Sequence, residues 1–138
     1  MVELSEISIA LSSGDGFSHY YDRIEDRIIM IAEYDTFEED DGLREVIEND
    51  ESDRFVYIDQ FMGYDPDWKC MERFVLGIED ESRRHEFMDA ISGKGAFRRF
   101  RILAERYDLL EEWYGFKDRY WLSLAREWCE DNDVPFSE

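Results

Sequence analysis

The chain has 138 residues, 36 acidic against 16 basic side chains and a formal net charge of −20. Such a surface repels polyphosphate and excludes direct nucleic-acid binding by the molecule as a whole. The 43% hydrophobic and 16% aromatic content supplies a core that a disordered chain lacks. The length suits a single domain over 1–138, with a hairpin and sheet subregion at 1–60 and a helical subregion at 61–138. No basic segment precedes an apolar run near the N-terminus, and no apolar stretch approaches the roughly 20 residues that span a bilayer. The expected setting is therefore cytoplasmic, with no membrane partner, and Cys70 and Cys129 are expected as reduced, partly buried thiols.

The first element is a short helix over Ser5 to Leu11, with Ser5 as N-cap, Ile7, Ala10 and Leu11 on one face, and Gly14 beyond its end. From Phe17 to Glu33 the residues become β-branched and aromatic. Two runs, His19 to Arg23 and Arg27 to Ala32, flank the polar Glu25 and Asp26 and predict a β-hairpin. Thr36 and Glu39 have capping-box spacing ahead of a short helix whose apolar face is Leu43, Val46 and Ile47. The run Phe55 to Asp59 predicts a third strand, because a hairpin alone is marginal.

Beyond residue 60 the pattern is helical. Asp65 ahead of Pro66 predicts a helix start: the carboxylate accepts an orphan amide, and proline at the first position lacks a donor that no partner needs. That helix carries Trp68, Met71, Phe74 and Val75 to about Gly77. Asp80 caps the next helix, which carries Phe87, Met88 and Ile91 and ends at Ser92 and Gly93. A third helix, Gly95 to Tyr107, is expected to bury Phe97, Phe100, Leu103 and Ala104. Asp108 with Glu111 reads as a capping box opening the longest helix, where Trp113, Phe116, Tyr120, Leu124 and Trp128 recur near the helical period. The expected fold class is α+β: a small antiparallel three-stranded sheet, N-terminal short helices and a C-terminal bundle of about four helices.

Charge is segregated along the chain. Residues 1–82 balance at −18, residues 83–106 at +4 and residues 107–138 at −6. The positive island, Arg83, Arg84, Lys94, Arg98, Arg99, Arg101 and Arg106, spans two helices and the Gly-Lys-Gly turn joining them. As a functional reading, Lys94, Arg98 and Arg99 form an anion-binding candidate beside helix-start amides. As a structural reading, Gly93 and Gly95 let the chain turn and the arginines pair with carboxylates of the acidic N-terminal half. Without a full Walker pattern the structural reading is preferred. The run Glu38, Glu39, Asp40 and Asp41 lacks EF-hand spacing and reads as a solvated helix start.

Catalytic signals are weak. His19 and His85 are the two histidines, no Cys or His pair has metal-ligand spacing, and no nucleophile signature surrounds either cysteine. No catalytic residue, metal or cofactor is assigned. The set Trp113, Tyr114, Phe116, Tyr120, Trp121 and Trp128 covers more than one helix face, which makes Tyr114 and Trp121 the candidates for an exposed interaction surface.

The stretch AISGKGAFRRF, the spaced Trp113, Phe116, Ala125 and Trp128, and more loosely HYYDRIEDRIIMI and FVYID resemble bacterial uncharacterised protein family 0158. That family has no established activity, so the resemblance implies a bacterial cytosolic setting and supports the fold, and it carries over no site residue. The expected function is a non-enzymatic cytosolic protein-interaction or regulatory module with a protein partner, basic in character. The alternatives are a binding protein or enzyme for a phosphorylated small molecule at the basic island, and an acidic nucleic-acid mimic.

Overall fold

In the computed structural model, residues 1–12, 16–32, 38–58 and 66–138 are described, with 38–41 by backbone alone. Among them are six helices and a three-stranded antiparallel sheet, so the fold is α+β as expected. Contacts divide the chain into two compact units, a sheet unit of Met1–Met62 with Trp121–Glu138 and a helical unit of Gly63–Tyr120.

The sheet unit is built on a hairpin. Strand β2 (Phe17–Asp22) pairs with β3 (Arg27–Ala32) in register from Phe17 opposite Ala32 to Asp22 opposite Arg27. The reversal needs no glycine. The Asp22 carboxylate accepts the Ile24 and Glu25 amides at 3.0 and 3.3 Å, and Asp26 adopts a left-handed φ of 52°. A short polar side chain that bonds locally tolerates that conformation better than most. Strand β4 (Phe55–Tyr57) pairs antiparallel with the other side of β2, giving the order β3-β2-β4 and the expected third strand. A second, two-stranded parallel pairing, β1 (Val2–Glu3) with β5 (Phe136–Ser137), was not predicted, because two-residue strands carry no period.

Helix α1 (Leu4–Ser12) buries Ile7, Ala10 and Leu11, the face read from its spacing, and also Leu4. Its cap differs. Ser5 lies inside the helix, and the Glu3 amide instead donates to the Glu6 carboxylate at 2.8 Å. In α2 (Glu38–Glu48) Leu43 and Ile47 are half-buried while Val46, assigned to the same face, is 51% exposed. Arg44 takes the inward flank, donating to the Ala32 carbonyl at 2.6 Å, and this turns the face away from Val46. The predicted Gly14, Thr36 and Asp59 positions lie outside the described residues.

The helical unit contains α3 (Pro66–Leu76), α4 (Glu81–Ala90), α5 (Ala96–Arg106) and the start of α6 (Leu110–Asp131). Pro66 opens α3 as predicted, with Asp65 outside the described residues. The Asp80 side chain accepts the Arg83 amide at 2.9 Å and caps α4. Edge-to-face rings fill the core: Phe74 meets Phe100, Trp113 and Phe116 at 5.9, 5.4 and 5.5 Å, and Phe100 meets Trp113 at 4.8 Å.

Two expectations fail here. The buried stripe of α5 is Ala96, Phe100, Leu103 and Ala104, so Phe97 falls beside it and is 48% exposed. Asp108 does not cap α6. It takes a left-handed φ of 57° just past α5, where its amide donates to Glu105 and the Leu109 amide donates to Ala104. That pair of bonds is a Schellman closure of the preceding helix with aspartate in the place glycine usually fills. Asp133, φ 54°, repeats it at the end of α6, with Val134 donating to Cys129 at 2.8 Å.

Candidate functional site

The Gly-Lys-Gly turn joins α4 to α5, and its glycines take left-handed φ values of 79° at Gly93 and 77° at Gly95. At Gly95 a second demand applies, since an added Cβ would lie 3.0 Å from Arg99 Nη1. The guanidinium of Arg99 folds back over the turn. Its Nε donates to the Ala90 carbonyl and its Nη2 to the Ser92 carbonyl, both at 2.7 Å. Trp68 Nε1 donates to the Ile91 carbonyl at 3.1 Å. Three carbonyls at the end of α4 thus receive side-chain donors, and a cation meets the negative end of the helix dipole.

This geometry assigns Arg99 a structural task; all three residues, Lys94, Arg98 and Arg99, are exposed. Other members of the basic island also find partners inside the helical unit. Arg84 donates to the Ile78 carbonyl at 2.8 Å, Arg106 lies 3.4 Å from Glu86, and Arg101 lies 3.7 Å from Glu105. Arg83 stacks over the Tyr107 ring at 4.6 Å. The pairing expected with the acidic N-terminal half is instead made to nearby carbonyls and carboxylates of the same unit.

Of the two aromatic candidates, Tyr114 is 51% exposed, as expected, and Trp121 is 8% exposed, which corrects the reading that placed it on the surface. The buried stripe of α6 runs through Trp113, Tyr120, Trp121, Ala125 and Cys129, and Trp121 falls four residues before Ala125 on that stripe. Leu124 and Trp128, assigned to the core face, are half-buried flanks. Tyr114 instead shares a cleft of about 260 Å³ with Phe97 and Arg101 of α5 and with Lys117, over a floor that includes Phe100 and Trp113. The cleft joins the two signals, basic island and aromatic helix, that the sequence presented separately.

The sheet unit holds the most buried charge. Asp22 is 1% exposed and receives Arg54 Nε and Nη2, both at 2.9 Å, in a two-pronged pair. Arg54 holds the Asp22 carboxyl below the usual range against the opposing effect of burial. Arg23, next in sequence, donates to the carbonyls of Asp53, Asn132 and Asp133. Nothing in the local sequence marks these two arginines, since their acceptors lie about 30 and 110 residues away. Burial pushes the thiols of Cys70 and Cys129 up to about 11, and both are free and fully buried, more deeply than the partial burial expected. His85 is exposed, 3.9 Å from Glu81 one turn away, which is a surface arrangement, and His19 is buried in β2. No helix among the described residues is long and apolar enough to cross a membrane.

The fold and these positions can be set beside known proteins. The sequence profile of an uncharacterised protein family, UPF0158, matches residues 4–138, nearly the whole chain. The chain belongs to this family. It is also similar to UPF0158 protein PA5073 of Pseudomonas aeruginosa, at 25% identity over 134 residues, covering 96% of this chain and 84% of that protein. No solved structure matches. The family is described as uncharacterised, so membership assigns neither an activity nor a site residue.

Proposed function

We propose that the protein is a non-enzymatic, cytoplasmic interaction module whose sheet unit receives a basic polypeptide. The observation that carries this reading is the charge of one unit. The sheet unit holds 23 acidic and 5 basic residues, a balance of −18, whereas the helical unit holds 13 and 11, a balance of −2. Four of the five cations of the sheet unit are engaged internally: Arg23 and Arg44 on backbone carbonyls, Arg54 on Asp22, and Arg126 with Glu138. The remaining carboxylates set up a field that attracts a cationic surface and speeds its encounter. The rival small-anion reading at the Gly-Lys-Gly turn has less support, because Arg99 is spent on α4. A nucleic-acid mimic is the special case in which the basic partner is itself a DNA-binding protein.

The test is capture from a nuclease-treated native lysate, eluted in salt steps, with a Glu45→Gln/Glu48→Gln/Glu51→Gln protein in parallel; all three positions are exposed. A stoichiometric basic protein should elute at moderate salt and be retained less by the triple variant. Empty capture, or retention indifferent to salt and to the variant, refutes the reading.

A further inference from the structure

We infer that the cleft between α5 and the first turns of α6 is a second docking site, for a peptide segment that presents one apolar anchor flanked by carboxylates. It stands apart from the acidic sheet unit in residues, in sign of charge and in the kind of partner it fits.

Large apolar rings on a surface call for an explanation when they cluster. Phe97 and Tyr114 are 48% and 51% exposed, come from different helices, and line one cleft. Each lies just off the buried stripe of its own helix. Phe97 is displaced from the core by Ala96, which takes the buried position on α5, and Tyr114 lies one residue past buried Trp113. Beneath them Phe100 and Trp113 belong to the interlocked ring cluster, so the floor is held rigid by packing rather than by a ligand. Rigid aromatic side chains offer contact area at little entropic cost, which is one reason tyrosine and tryptophan recur at binding hot spots.

The cleft, of about 260 Å³, has room for one side chain inserted from a partner. Charge then selects its flanks: the lining holds two cations, Arg101 and Lys117, against one carboxylate, Asp67. The pair of Arg101 with Glu105 is solvent-exposed at 3.7 Å, and exposed pairs of that kind are worth little, so the guanidinium is available to a partner carboxylate at small cost. An apolar anchor beside carboxylates satisfies both the rings and the cations, whereas a basic peptide satisfies only the rings.

The test uses the full chain and a panel of fluorescein-labelled nonapeptides. Each has Phe, Leu or Ala at the centre, two Glu, Ser or Lys residues on either side of it, and Ser and Gly elsewhere; binding is read by anisotropy. The Glu-flanked Phe and Leu peptides should bind at least tenfold more tightly than their Ala-centred and Lys-flanked counterparts. Phe97→Ala and Tyr114→Ala should each weaken that binding at least fivefold with the melting temperature held, and Lys117→Glu should remove the preference for Glu flanks. Binding that ignores the anchor, prefers Lys flanks or survives both ring deletions overturns the inference, as does no measurable binding across the panel. Sedimentation of the unliganded protein adds a further arm: self-association that Tyr114→Ala abolishes would make a second copy the occupant and overturn the peptide reading.

Discussion

The sheet unit and the helical unit place their arginines in different service. In the sheet unit, Arg23, Arg44 and Arg54 donate to backbone carbonyls and to one buried carboxylate, and acidic residues outnumber basic ones by 23 to 5. In the helical unit, the two signs nearly balance, arginines close helix ends or pair across short distances, and a ring cluster supplies the core. The contrast shows that net charge reports poorly on which residues hold a fold. The unit of −18 is organised around three of its five cations, and the basic island that stood out in the sequence is largely local scaffolding.

The sharpest way to break the comparison is to remove the central ring of the helical unit. Phe100→Ala should cost about 4 kcal/mol, from lost burial and the cavity left behind, read as a shift in the urea midpoint. The counterpart in the sheet unit is Asp22→Ala, which strands Arg54 and the Ile24 and Glu25 amides. Its expected cost is about 2 kcal/mol, from the charge-assisted bonds and amide partners lost, because the 31% exposed Arg54 side chain can still reach water. If hydrogen exchange shows each variant loosening both units equally, the division into two is mechanically empty.

Acid sharpens the same contrast. Asp22 has a lowered native pKa, so the stability it contributes is fully present above the unfolded carboxylate value of about 3.9 and is lost as pH falls through the lower folded value. Wild-type urea midpoints should therefore drop steeply below about pH 4, and Asp22→Asn should flatten that drop. A variant with the same acid limb as wild type would remove Asp22 from the account.

Arg99→Met addresses the helical corner. Losing two donors to the end of α4 should cost about 1 kcal/mol, with exchange protection falling in α4 and α5 and unchanged in β2. The smallest effect expected is a gain. Asp133→Gly places at the left-handed position the residue that favours it and removes one negative charge, for about 0.5 kcal/mol of added stability by thermal melting.

Much of this architecture was legible because it rests on local signals. The hairpin runs, the strand at Phe55, Pro66 at the head of α3 and the Asp80 cap all lie within a few residues of the features that announce them. The errors share a cause. Asp108 was read as an N-cap because aspartate serves both the start of a helix and a left-handed end, and only the backbone conformation tells the two apart. Phe97 and Trp121 exchanged expected roles because the apolar period leaves a stripe free by one residue: on α5 the buried stripe runs through Ala96 beside Phe97, and on α6 it is wide enough to take in both Tyr120 and Trp121. Of the candidate anion site the turn itself was legible, while the fold-back of Arg99 onto Ala90 and Ser92 required the three-dimensional path of the chain.

The two buried thiols lead to one more consequence. Cys70 belongs to the helical unit and Cys129 to the sheet unit, and each is fully enclosed with a pKa near 11. At pH 8 only roughly one thiol in a thousand is then the reactive thiolate, even before access is considered. Alkylation must wait for a local opening, and each modified cysteine records which half of the chain opened. The protein thus carries a stopwatch in each unit, and one mass spectrum taken along a labelling time course reads both.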